Sequence, residues 1–197
     1  MSLSPDPFSV LKSFYFSINP ELTEEEWANI AARYYLKKVN KGMPLLEIGE
    51  VCDFVGIVYQ GLCRMYHLVD DKEVIFEFFD EGKLISDYTS FMLREPSLCV
   101  IQALEDSEIF CINYTDVEAL YESYPPMYKM VTAALDGLYV ANFDKYSSVL
   151  LDDLETAYRR FLTERASIVP SIHQYMIASY LGVTPEALTR TRRSIGM

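Results

Sequence analysis

Near the C-terminus the run "TPEALTRTRR" spaces Glu186, Thr189, Arg190 and Arg193 three and four residues apart, which puts them on one face of a helix. These residue types suit the edges of base pairs. Arg can make a bidentate contact to guanine O6 and N7 in the major groove, and Glu can accept from cytosine N4. The reading puts Glu186, Thr189 and Arg190 closest to base edges and Thr184 and Arg193 nearer the backbone, with Arg192 turned aside toward a phosphate or solvent.

Such a face needs an element that delivers it. With Gln174 as the first position of a helix-turn-helix, Ala178 falls where a small residue lets two helices cross closely, and Gly182 falls where the turn needs positive φ. Ile177, Leu181, Val183 and Leu188 occupy the apolar positions between the helices. Thr184 can cap the second helix, and Pro185 in its first turn costs no backbone bond. Thr191 stands where the motif usually has an apolar residue.

Charge separates this tail from the rest. The 197 residues carry a net charge of −12, yet residues 158–197 hold six arginines against Glu164 and Glu186. Residues 1–157 are left with 11 basic and 27 acidic side chains. Indiscriminate coating of nucleic acid is excluded for so acidic a chain, because that binding rests on neutralising phosphates.

Other chemistries find little support. Cys52, Cys63, Cys99 and Cys111 are scattered without a C-x-x-C pair, which points to buried, reduced thiols in a cytoplasm. Only His67 and His173 are present, too few for the metal site of a cupin-type barrel enzyme. His67 reads as a strand residue, and His173 as a cap or a phosphate contact. With no nucleophile elbow and no phosphate-cradling loop, neither a catalytic residue, a metal site nor a cofactor is assigned. No apolar run approaches the roughly 20 residues that span a bilayer, and "MSLSPDPFSVLKSFYF" lacks the marks of an export leader. A cytoplasmic protein is expected.

Stepping N-terminally, residues 8–36 carry helical spacing, with Thr23 and Glu26 forming a capping box. From about 37 to 114 short runs rich in Val, Ile, Tyr and Phe alternate with glycine turns, predicting an antiparallel sandwich or barrel. A long helix is predicted over 126–147, where Met127, Val131, Ala134, Leu138 and Ala141 recur at steps of four and three. That stripe either packs on the β-domain or pairs with its twin in a dimer. A further helix in "LLDDLETAYRRFLTE" precedes the helix pair. The fold class is α+β, and the expected domains are 1–125, a dimerisation helix 126–147, and a DNA-binding region 148–197.

Taken together, "KKVNKGMPLLEIGEVCDFVGIVYQGLCRMYHL", "FFDEGKLISDYTSF", "CVIQALEDSEIFCINYTDVEAL" and "IASYLGVTPEALTRTRR" resemble the Crp/Fnr family of bacterial transcription regulators. The resemblance covers nearly the whole chain. It implies a β-roll of the cyclic-nucleotide-binding type (a jelly roll), a dimerisation helix and a C-terminal helix-turn-helix. It also implies a homodimer on palindromic double-stranded DNA that recruits or blocks RNA polymerase, gated by a signal at the β-roll. In members that bind cyclic AMP, a Gly-Glu pair holds the ribose and an Arg-Ser or Arg-Thr pair clamps the phosphate. Here Ser86 and Asp87 stand at the first pair, and Ser97 and Leu98 at the second.

Without the arginine a cyclic phosphate loses a contact worth roughly 1.5–3 kcal/mol and meets the Asp87 carboxylate instead. Arg94 lies three residues too early and would serve only in a rearranged loop. The expectation is a degenerate pocket that does not bind cyclic AMP tightly, leaving the effector, if a small molecule, unnamed. An iron–sulfur cluster would need cysteines near the N-terminus, and the first is Cys52. The chain ends four residues after Arg193, so the β-hairpin wing that follows the helix pair in many members is not expected, and salt dependence should be shallower. The alternative is a ligand- or partner-binding module whose helix-turn-helix no longer reads DNA.

Overall fold

The computed structural model describes residues 8–196. Residues 1–7, the start of the stretch searched for a leader, and Met197 lie outside the described residues. No helix among those described is long and apolar enough to cross a membrane. The described chain divides into two units, residues 8–64 with 78–136, and residues 65–77 with 137–196.

The first unit opens with α1 (Phe8–Ile18) and α2 (Glu24–Ala31). Thr23 Oγ1 accepts from the Glu26 N–H at 3.2 Å while the Glu26 carboxylate accepts from the Thr23 N–H at 2.8 Å, so the capping box fixes where α2 starts. Leu11, Tyr15, Trp27 and Ile30 turn inward, and the Tyr15 and Tyr34 hydroxyls meet at 2.8 Å. The helical lead-in ends earlier than the predicted residue 36, because β1 (Tyr35–Val39) already pairs with the last strand.

The remaining strands are β2 (Pro44–Leu46), β3 (Phe54–Gln60), β4 (Cys63–Val69), β5 (Lys72–Phe79), β6 (Leu84–Ile85), β7 (Cys99–Ala103) and β8 (Ser107–Asn113). They form two four-stranded sheets, β1-β8-β3-β6 and β2-β7-β4-β5. In β7 burial alternates, with Cys99, Ile101 and Ala103 facing in. Ile57, Ile85, Ile101, Ile109 and Phe110 make the centre of the core. Gly61 joins β3 to β4 with φ +100°, and a Cβ there would come 2.8 Å from the Asp106 carbonyl oxygen, so a side chain is barred twice over.

Two helices interrupt or follow the strands where no helix was predicted. The short α3 (Tyr88–Leu93) starts because the Asp87 carboxylate caps it through the Ser90 N–H at 3.2 Å. The other, α4 (Tyr114–Ser123), buries Val117 and Leu120. Next comes α5 (Pro126–Leu151), four residues longer than the predicted 126–147. Nothing in its sequence stops it before Ser148, whose hydroxyl bonds the Asp152 carboxylate at 2.6 Å.

The second unit holds the C-terminal part of α5, α6 (Leu154–Glu164), a 3₁₀ turn at Val169–Ser171, α7 (Gln174–Tyr180) and α8 (Pro185–Ser194). Residues 65–77, the outer part of the β4–β5 hairpin, belong to it as well. Asp153 caps α6 by accepting from the Thr156 N–H at 2.8 Å. The unit's own core comprises Tyr158, Phe161, Ile168, Ile172, Met176, Ile177, Ala178 and Leu188.

Candidate nucleic-acid interface

The helix pair is built by local rules. At the end of α7 the Gly182 N–H donates to the Ser179 carbonyl at 3.0 Å and the Val183 N–H to the Ala178 carbonyl at 2.9 Å, which turns the chain with Gly182 at φ +69°. Thr184 then caps α8, its Oγ1 accepting from the Ala187 N–H at 3.2 Å. Ala178 is fully buried and Leu188 nearly so, which lets the two helices cross closely.

This packing leaves one side of α8 facing water. Glu186, Thr189, Arg190 and Arg193 are all exposed, as are Gln174 at the start of α7 and Thr184 and Pro185 at the start of α8. Arg190 and Arg193 make no ion pair among the described residues, whereas Arg159, Arg160 and Arg165 are paired with Glu155, Asp152 and Glu77. The Glu186 carboxyl is held below its ordinary range, first by its own backbone N–H, then by the Thr184 hydroxyl and the Arg190 charge. The Thr189 hydroxyl donates to the Pro185 carbonyl at 2.8 Å, so while that bond is kept it can accept from a base edge or offer its methyl group. Arg192 is drawn in: its Nε is buried without a hydrogen-bond partner.

In the first unit, two of the four residues expected at the degenerate effector pocket, Asp87 and Ser97, are hydrogen-bonded to each other. Ser97, almost fully buried, donates to Asp87 Oδ2 at 2.8 Å, and the Cys99 thiol lies 3.6 Å from the same oxygen. Ser97 also accepts from the Cys99 N–H at 3.1 Å. The Ser86 hydroxyl donates to the Phe54 carbonyl at 2.8 Å. Arg94 is committed elsewhere. Its guanidinium donates to the Cys52 carbonyl at 2.9 Å, pairs with Asp53 at 2.8 Å and lies 4.2 Å from the Tyr114 ring centre.

Residues 36–124 match the cyclic nucleotide-binding domain family. No curated protein matches the sequence. Among solved structures, a Crp/Fnr-family regulator from Eubacterium rectale superposes with a TM-score of 0.72 at 19% identity, over 92% of this chain and 87% of that one. FixK2 from Bradyrhizobium japonicum gives 0.71 at 16% identity over 82% and 84% of the chains. CLP of Xanthomonas campestris, a c-di-GMP responsive regulator, gives 0.68 at 14% over 86% and 89%. The chain has the Crp/Fnr fold.

Within that Crp/Fnr fold, Asp87 and Ser97 come together, but Leu98 does not join them, being 75% exposed. His173 stands at the N-cap of α7, but its side chain makes no cap bond and its ring stacks on Tyr175, centres 6.0 Å apart. All four thiols are buried and unpaired, and burial pushes Cys63 and Cys99 up to about 11 and Cys111 to about 12. Sequence reasoning missed Ser179, whose hydroxyl reaches the backbone of β5, and Glu77, which pairs with Arg165. Neither carries a local signal.

Proposed function

We propose that this chain is a sequence-specific DNA-binding transcription regulator of the Crp/Fnr type, not an enzyme, acting in the cytoplasm on a palindromic double-stranded operator. The observation that carries the reading is the α8 face, where Glu186, Thr189, Arg190 and Arg193 stand exposed together and the two outermost arginines make no ion pair among the described residues. An unpaired guanidinium on a rigid helix keeps its donors for guanine or phosphate.

A palindrome requires two copies. The large apolar residues left exposed on the C-terminal half of α5 are Tyr139, Val140, Phe143, Tyr146, Leu150 and Leu151, and among them Tyr139, Phe143, Tyr146 and Leu150 are spaced by four, three and four residues. This spacing makes a seam for a second copy of the same helix. The expected stripe divides: Met127 is buried at the helix start, while Leu138 is 42% exposed. In a two-fold dimer the recognition helices would enter successive major grooves about 34 Å apart. Such a dimer recruits or blocks RNA polymerase, gated by a signal other than cyclic AMP. Ser97 and Asp87 satisfy each other, and a cyclic phosphate would have to displace that bond and then face the carboxylate.

Selection from a random duplex pool tests this, run on the wild type and on a Glu186→Ala, Arg190→Ala variant. One palindrome enriched by the wild type and bound roughly tenfold to several hundredfold more weakly by the variant is the expected result. A wild type that enriches nothing at low salt returns the chain to a partner-binding role.

A further inference from the structure

The second unit contains a contact that the DNA-reading role does not require. Strand β5 ends its sheet, so part of its backbone has no neighbouring strand. Ser179, in the last turn of α7, supplies the missing rung with one hydroxyl: it accepts from the Ile75 N–H at 2.8 Å and donates to the Glu73 carbonyl at 3.1 Å. A helical serine more often bonds a carbonyl of its own preceding turn. Here it is turned onto a strand 104 residues earlier.

The same stretch of β5 is held at two further points. Glu77 accepts from Arg165, the residue that closes α6, at 2.7 Å, and Lys145 of α5 lies 3.6 Å from its other oxygen. All three side chains are less than a fifth exposed. Lys145 also donates to the Phe76 carbonyl, and its ammonium sits 4.0 Å from the centre of the Tyr180 ring, beside Ser179. Residues 73–77 thus gather α5, the end of α6 and the end of α7.

Only Arg165–His173, with its single 3₁₀ turn, leads from α6 into a first helix of seven residues. A helix this short draws its stability from packing and tertiary contacts rather than from its own backbone bonds. We propose that Ser179 and Glu77 are positioning residues for DNA recognition, clamping the helix pair to β5 so that the α8 face is presented from a preorganised platform. The clamp acts through α7 and leaves Glu186, Thr189, Arg190 and Arg193 uncovered, so it favours binding by sparing the cost of ordering the pair on DNA.

This inference rests on the DNA-reading role, and the test separates the two. Ser179→Ala, Ser179→Thr and Glu77→Gln are compared with the wild type by thermal melting, by hydrogen exchange at the Ile75 amide, and by affinity for the duplex that the wild type selects. In Ser179→Ala the Ile75 amide should exchange about tenfold faster and DNA affinity should fall roughly three- to tenfold with the fold retained, and Ser179→Thr should restore both. Glu77→Gln should weaken DNA binding without changing which sequence is preferred. Faster exchange at Ile75 with unchanged DNA affinity would reduce the clamp to a structural contact. Unchanged exchange would remove the clamp itself, and a wild type that selects no duplex overturns the DNA-reading role whatever the exchange shows.

Discussion

Around Asp87 and Ser97 the polar groups are hydrogen-bonded to one another inside the chain, whereas on α8 the exposed Arg190 and Arg193 guanidinium groups make no ion pair among the described residues. The two regions have the same raw material, short polar side chains next to a helix N-terminus, and opposite outcomes. In the first, Asp87 caps α3 and takes the Ser97 hydroxyl. In the second, Thr184 caps α8 and the Arg190 and Arg193 side chains beyond it stay exposed. A group already satisfied can serve a ligand only by giving up its bond, so binding capacity lies where the fold leaves donors unspent.

Leu188, the buried residue of α8, holds the open face of that helix in place. Leu188→Ala should cost about 2–5 kcal/mol, lowering the melting temperature and abolishing operator binding while the β-sheet signal of the first unit persists. Urea unfolding followed by separate probes of the two units would register it; a loss below 1 kcal/mol would mean that the α8 face is not held by this packing.

A smaller effect is expected at the closed site. Ser97→Ala leaves Asp87 Oδ2 without its hydroxyl donor and should destabilise the protein by about 1–3 kcal/mol, with operator binding retained. A neutral outcome would show the Asp87–Ser97 bond to be incidental. The smallest expected effect sharpens the contrast: cyclic AMP at millimolar concentration should leave the melting temperature unchanged. A ligand at a hundred times its Kd would stabilise by about 2.7 kcal/mol, so a clear upward shift would mean that the Asp87–Ser97 pair opens to admit it.

The helix pair was legible because its rules are local. Gly182, Ala178, Thr184 and Pro185 lie within eight residues, and each answers to a backbone requirement that neighbours in sequence impose. The capping box at Thr23 was legible for the same reason. The glycine-punctuated strands fixed the class of the first unit, but α3 was hidden in "DYTSFML", since only the Asp87 cap marks its start. The missing arginine was visible in the sequence. That Asp87 and Ser97 close on each other, and that Arg94 is spent on Cys52 and Asp53, required side chains from separate segments to meet.

By itself, then, the sequence determined the α+β class, the order of its parts and the residues of the α8 face, because periodicity, turn chemistry and capping act over a few residues. Which polar groups are consumed and which remain available follows from how the packed segments meet. Asp87 with Ser97, Ser179 with Ile75 and Glu77 with Arg165 are joined across 10, 104 and 88 residues. A hydrogen bond of that kind depends on where the packed backbone brings its ends, which no local pattern encodes.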